Sequence, residues 1–246
     1  MSLEARLMLR AAVSKCRGAD KVSRILSLLC CGFTILFTAS HVVACPCSEI
    51  KPLEKAPADT DYIKGLKFTK TDKYKEEFIA AVNSAKSFCE KYLKEHPGER
   101  NLAVVSDLDE TLLDNREELK EHPTHEWAPF DAWLKEARAP ALEETQEFLT
   151  WARKNGIAVF FVTGRPDYDR LPTIENLVKI GIAYDGLYLR PPGPKEPTIL
   201  YKSGARESIE KMGFKIIVNI GDQYSDLAGE HSLDCEKLPN RMYFLP

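Results

Sequence analysis

The sequence predicts an α/β fold, a parallel sheet with helices on both faces. Three observations carry that expectation. Short apolar runs rich in β-branched residues, at 102–105, 157–162 and 216–220, read as buried strands. Stretches of helical periodicity stand between them, and alternating helices and strands imply βαβ units joined by right-handed crossovers. The 246 residues suffice for one sizeable core with room for extras.

Composition removes some functions before any motif is read. The net charge is -3 with 29% charged residues, so no basic stripe points to nucleic acid. The seven cysteines have no metal-ligand spacing. Cys16, Cys30 and Cys31 fall in or before an apolar N-terminal stretch and would leave with a cleaved signal.

From the N-terminus, residues 1–24 carry Arg6, Arg10, Lys15, Arg17, Lys21 and Arg24 against Glu4 and Asp20. The apolar run 25–44 follows, and this order is that of an export signal, 1–44. Val42-Val43-Ala44-Cys45 resembles a bacterial lipobox, with cleavage before Cys45 and lipid on its sulfur. Ordinary signal cleavage near Ala44 and an uncleaved anchor stay open, since about 20 apolar residues span a bilayer. Residues 45–60 are polar and proline-bearing and read as a tether.

A helix is expected from Asp72 to Lys94, where Tyr74, Phe78, Val82, Ala85, Cys89 and Leu93 recur at helical spacing. His96-Pro97-Gly98 ends it. Its apolar stripe reads as core packing, with an active-site cover as the alternative. The first strand runs into Asp107-Leu108-Asp109-Glu110-Thr111. Two carboxylates at i and i+2 thus leave the C-terminal edge of the sheet, where open α/β sheets bind ligands. A calcium loop would want Gly where Leu112 stands. Residues 116–138 look loop-like, with Pro123, Pro129, His122, His125, Trp127, Phe130 and Trp133.

A helix over 141–155 ends at Gly156, and the second strand runs into Thr163-Gly164-Arg165-Pro166. Another helix over 168–180, a short strand at 186–189 and a proline-rich loop follow. Lys202 is expected to open the next helix, which extends to Met212. The strand 215–220 leads into Gly221-Asp222-Gln223-Tyr224-Ser225-Asp226. Three strands therefore end in polar groups on one edge: Asp107 with Asp109, Thr163, and Asp222 with Asp226. Phosphoryl transfer needs such parts: a nucleophilic carboxylate, oxygen ligands for Mg²⁺, and a cation with N–H donors for developing charge.

DLDET, TGR, a helical lysine and GDxxxD, in that order, resemble the four motifs of the haloacid dehalogenase (HAD) superfamily. VVSDLDETLLDN, FDAWLKEARAPAL, FFVTGRPD, IVNIGDQYSDLAG and KLPNRMYFLP resemble its subclass IIIB acid phosphatases, bacterial outer-membrane lipoproteins and plant vegetative-storage-protein-like enzymes among them. The resemblance implies a Rossmann-like sheet in a domain over 61–246, with a small, mostly helical cap from 61–98 and 116–139.

It also implies roles. Asp107 would be nucleophile and Mg²⁺ ligand. Asp109 would be acid, then base, and offer its carbonyl to the metal. Thr163 and the Gly164 amide would bind phosphoryl oxygens, which Lys202 would neutralise. Asp222 would ligate Mg²⁺ directly, with Asp226 behind it or through water. Arg165 would either order a loop through a carboxylate or touch substrate.

GDQYSDL is closer to the plant-type members, which leaves a nucleoside 5'-monophosphate substrate open. Trp127, Phe130, Trp133 and Tyr224 are the aromatics that would stack on a base. Cys89 with Cys235 is one disulfide pairing an exported chain would allow. The expected partners are a small phosphomonoester and a membrane, reached through the lipid or signal anchor, with a homodimer open. Phosphotransfer to another hydroxyl, or a non-catalytic storage or binding role, are the alternatives to hydrolysis.

Overall fold

The computed structural model describes residues 50–51, 53–122, 127–193 and 196–246. The proposed signal, Cys45, most of the early tether and His125 lie outside the described residues. Along the described chain run α1 (Tyr62–Phe68), α2 (Asp72–Glu95), β1 (Leu102–Ser106), α3 (Arg116–Glu121), α4 (Trp127–Glu136), α5 (Glu143–Lys154) and β2 (Ala158–Pro166). A 3₁₀ turn at Asp167–Asp169 leads to α6 (Arg170–Lys179), β3 (Gly186–Arg190), α7 (Thr198–Lys211), β4 (Lys215–Gly221), α8 (Tyr224–Leu227) and β5 (Asp234–Lys237).

The five strands form one parallel sheet in the order β3-β2-β1-β4-β5. Strands covered on both faces have no polar side, so they read as continuous apolar runs. Alternate side chains serve opposite faces. Leu102 and Val104 of β1 and Val159 and Phe161 of β2 join one core cluster; Ala103, Val105, Phe160 and Val162 join the other. The first face is covered by α2, α5 and α6 through residues such as Phe78, Leu149 and Leu177; Tyr201, Ala205 and Ile209 of α7 cover the second.

Helix α2 starts where Thr71 accepts the Tyr74 N–H at 3.2 Å, a side-chain cap. Its stripe packs into the main core against α5, β4 and β5. This is the core-packing reading of the stripe. The insertion after β1, which looks loop-like, holds the two helices α3 and α4. Pro129 does not forbid this, because it lies in the first turn of α4, whose N–H groups have no partner within the helix. Helix α7 begins at Thr198, four residues before Lys202, so the lysine sits in its second turn. Cys89 is a free, buried thiol while Cys235 is disulfide-bonded, so the two are not partners.

Candidate active site

Parallel register gathers the motifs. Ser106 pairs with Phe161 on one side and Ile220 on the other, so Asp107, Thr163 and Asp222 leave three adjacent strands at one edge. The Asp107 N–H donates to the Ile220 carbonyl at 3.0 Å. Just beyond, the chain turns sharply: the N–H groups of Leu112 and Leu113 both reach the Leu108 carbonyl, and Glu110 takes a left-handed φ of 55°. Glu110 is held there from both sides. Its carboxylate accepts the Asn115 N–H at 3.1 Å and the Tyr243 hydroxyl. That clamp offsets the backbone strain of a non-glycine residue in this region.

At the centre lies Lys202, whose Nζ is 2.6 Å from Asp107 Oδ1 and 2.5 Å from Asp226 Oδ1. The second Asp226 oxygen accepts the Gln223 N–H at 2.8 Å. One carboxylate oxygen each from Asp107, Asp222 and Asp226 lies within 4.8 Å of the others, and all three residues are buried. Burial pushes the Asp107 carboxyl well above the usual range; Lys202 pulls it down, and Asp226 and Asp222 push it further up. Burial, then the Asp226 charge, push Asp222 up to about 6. Burial alone would lower the Lys202 pKa, yet Asp107 and Asp226 more than reverse this and raise it.

Two of the three buried carboxylates pair with this ammonium and Asp222 is drawn by the Lys237 charge, so the contacts around the triad are short of positive charge. An all-oxygen donor set of this spacing fits a hard divalent cation. Asp109 contributes no carboxylate to it. Its side chain faces Arg165, whose Nε lies 3.0 and 3.2 Å from the two oxygens and whose Nη2 lies 2.6 Å from Oδ1. Asn115 Nδ2 adds a donor at 2.9 Å, and Asn115 Oδ1 accepts the Trp133 indole N–H at 2.8 Å. Burial raises the Asp109 carboxyl, but Arg165 outweighs it and holds the pKa below the usual value. Of the two readings of Arg165, the structure therefore has it ordering a carboxylate.

Thr163 is buried and its hydroxyl accepts the Arg165 N–H at 3.2 Å, while Gly164 is exposed. The candidate stacking aromatics divide. Trp133 and Phe130 are buried and Trp133 is engaged with Asn115, whereas Trp127 is 49% exposed and Tyr224 lies under the Lys237 ammonium at 5.2 Å. His122 faces Glu118 Oε1 at 3.2 Å. Gln223 and Asn240, which both donate to Asp222, have no signal in a single sequence that assigns them there.

A parallel α/β sheet with this edge is the HAD class of fold. A sequence model of the HAD superfamily, subfamily IIIB (acid phosphatase), matches residues 34–246, and the chain belongs to that family. It is 36% identical over 148 residues to acid phosphatase 1 of Solanum lycopersicum, covering 57% of this chain and 58% of that protein. It is 31% identical over 206 residues to the stem 28 kDa glycoprotein of Glycine max, covering 80% of this chain and 77% of that one. The class C acid phosphatase from Bacillus anthracis with tungstate bound is similar in fold, with a TM-score of 0.61 at 21% identity over 74% of this chain and 84% of that one.

Proposed function

We propose that this chain hydrolyses small phosphomonoesters with Mg²⁺ as cofactor, through a phosphorylated Asp107. The observation that carries the reading is the Lys202 ammonium joining Asp107 to Asp226 inside a triad of buried carboxylates. Asp107 and Asp222, with the Asp109 carbonyl and Asp226 alongside, would hold the ion. When bound, it supplies positive charge to the phosphoryl oxygens.

An Asp107 oxygen attacks phosphorus as the bond to the leaving oxygen breaks, and Asp109, which Arg165 holds ionised, relays to that oxygen the proton carried in by the substrate's phosphate monoanion. Asp109, now a base, takes a proton from water. The water oxygen bonds to phosphorus, the bond from phosphorus to Asp107 breaks, and phosphate leaves. Thr163, the Gly164 N–H and Lys202 hold the phosphoryl oxygens. Arg165 and Asn115 aim Asp109 at the leaving group.

The test is phosphate release from nucleoside monophosphates, sugar phosphates and aryl phosphates, with Mg²⁺ and with excess chelator. Asp107→Asn is expected to lose activity by about 10³-fold or more, as nucleophile loss does elsewhere. An unchanged wild-type rate in chelator would remove the metal, and no release from any class would favour the storage role. Phosphotransfer would appear as phosphate moved to an added alcohol.

We further propose export with an N-terminal membrane anchor, a lipid on Cys45 or an uncleaved signal. The basic then apolar order of residues 1–44 and the tether-like composition of 45–60 support it. Among the described residues no helix is long and apolar enough to cross a membrane. Intact mass of the mature protein decides: a diacylated or triacylated Cys45 terminus is expected in a bacterial host, and an unmodified terminus there would overturn lipidation.

A further inference from the structure

After Lys237 the chain has no regular structure, yet residues 238–246 are tied to the site at nearly every step. The Leu238 N–H donates to the Gly221 carbonyl at 2.9 Å. Asn240 Nδ2 donates to Asp222 Oδ2 at 2.7 Å, and so does Gln223 Nε2, also at 2.7 Å. The other end of each amide is occupied by backbone of the same segment. Asn240 Oδ1 accepts the Met242 N–H at 2.8 Å, and Gln223 Oε1 accepts the Leu245 N–H at 3.1 Å. Ser225, in α8 between the two site aspartates, donates to the Leu245 carbonyl at 2.8 Å.

These contacts have a direction. A side-chain amide can present either its oxygen or its nitrogen to a carboxylate, and its other partner decides which. Here two main-chain N–H groups hold both amide oxygens, so both NH₂ groups must point at one oxygen of Asp222. That oxygen is saturated by two donors. The other, Oδ1, accepts the Thr111 hydroxyl at a longer 3.3 Å, and Asp222 offers one carboxylate oxygen to the triad.

We propose that residues 238–246 form a strap whose backbone sets the rotamer of Asp222 through Asn240 and Gln223, reserving Oδ1 for the divalent cation. Asn240 is a positioning residue. The inference rests on the metal reading of the site, and concerns which residues prepare that site for its ion. Groups behind a metal ligand fix its orientation, and losing one costs about 10–100-fold in metal affinity.

The experiment is Mg²⁺ titration by calorimetry on purified wild type, Asn240→Ala and Arg241→Ala, with melting temperatures measured in chelator. Asn240→Ala is expected to weaken Mg²⁺ binding by about 10–100-fold, with turnover recovering as Mg²⁺ is raised. Arg241→Ala cuts the strap's ties to Glu77, Asp59 and the Phe68 ring without touching either amide. It is expected to lower the melting temperature and leave Mg²⁺ affinity unchanged. Wild-type binding with equal affinity in Asn240→Ala would overturn the strap and leave the metal reading standing. No saturable Mg²⁺ binding by wild type would overturn the metal reading and the strap with it. If Asn240→Ala is recovered unfolded, Gln223→Leu carries the same comparison from the other amide.

Discussion

Asp169 is fully buried, and neither of its carboxylate oxygens has a hydrogen-bond donor among the described residues. Burial and the neighbouring Asp131 charge raise its pKa, and Lys135 and Arg165 pull the other way without restoring it. The folded chain therefore holds a proton on Asp169 at pH values where the unfolded chain has released it. Stability from this group is complete below the unfolded value, about 3.9, and is lost as pH rises through the raised folded value. Asp169→Asn removes that loss. The variant is expected to melt at a higher temperature than wild type at pH 7, with the gap closing as the pH approaches 4. Thermal melts across that range check it, and a gap that widens on acidification would refute the assignment. Arg165 shows the opposite arrangement a few residues earlier. It meets the Asp109 charge with a bidentate contact that keeps that carboxyl below its usual pKa despite burial.

Among the elements, what could be read in the sequence follows from burial. β1, β2 and β4 are covered on both faces, so their apolar runs announce them, and the carboxylates that follow must fall on one edge. β5 could not be read, because Asp-Cys-Glu-Lys at a sheet edge has neither an apolar run nor an alternating one. α1, seven residues with a central glycine, falls below the length at which periodicity speaks. The insertion after β1 misleads for a different reason. Its helices α3 and α4 are short, and their order comes from distant partners: Tyr62 bonds the Leu119 carbonyl, and Trp133 reaches back to Asn115. The same limit applies at the site. Asp107, Lys202, Asp222 and Asp226 sit beside motif residues and meet where the register implies. The partners that orient them do not. Asn240 bonds a carboxylate 18 positions away and Tyr243 one 133 positions away, and nothing in the local pattern states those distances.

Over the whole molecule, the first helix of the described domain and its last residues close on each other. The Asp61 N–H donates to the Arg241 carbonyl at 2.9 Å, and Gly65 packs so tightly there that an added Cβ would sit 2.4 Å from the same oxygen. Overpacking of this kind costs about 1–3 kcal/mol. Gly65→Ala is thus expected to lower the denaturation midpoint, and an unchanged midpoint in urea would show that the strap can yield. The sheet order has a consequence of another kind. β1 and β4 lie side by side, yet Thr111 and Asp222 are 111 positions apart and Lys202 and Asp107 are 95 apart. Closing a long loop is entropically costly, and contacts of high separation form late. The mutual repulsion of Asp107, Asp222 and Asp226 is therefore deferred until the central pairing of the sheet is made. A chain folded only from β1 to β3 carries neither that repulsion nor any catalytic capacity, so returning activity during refolding marks the moment when the two halves of the sheet join.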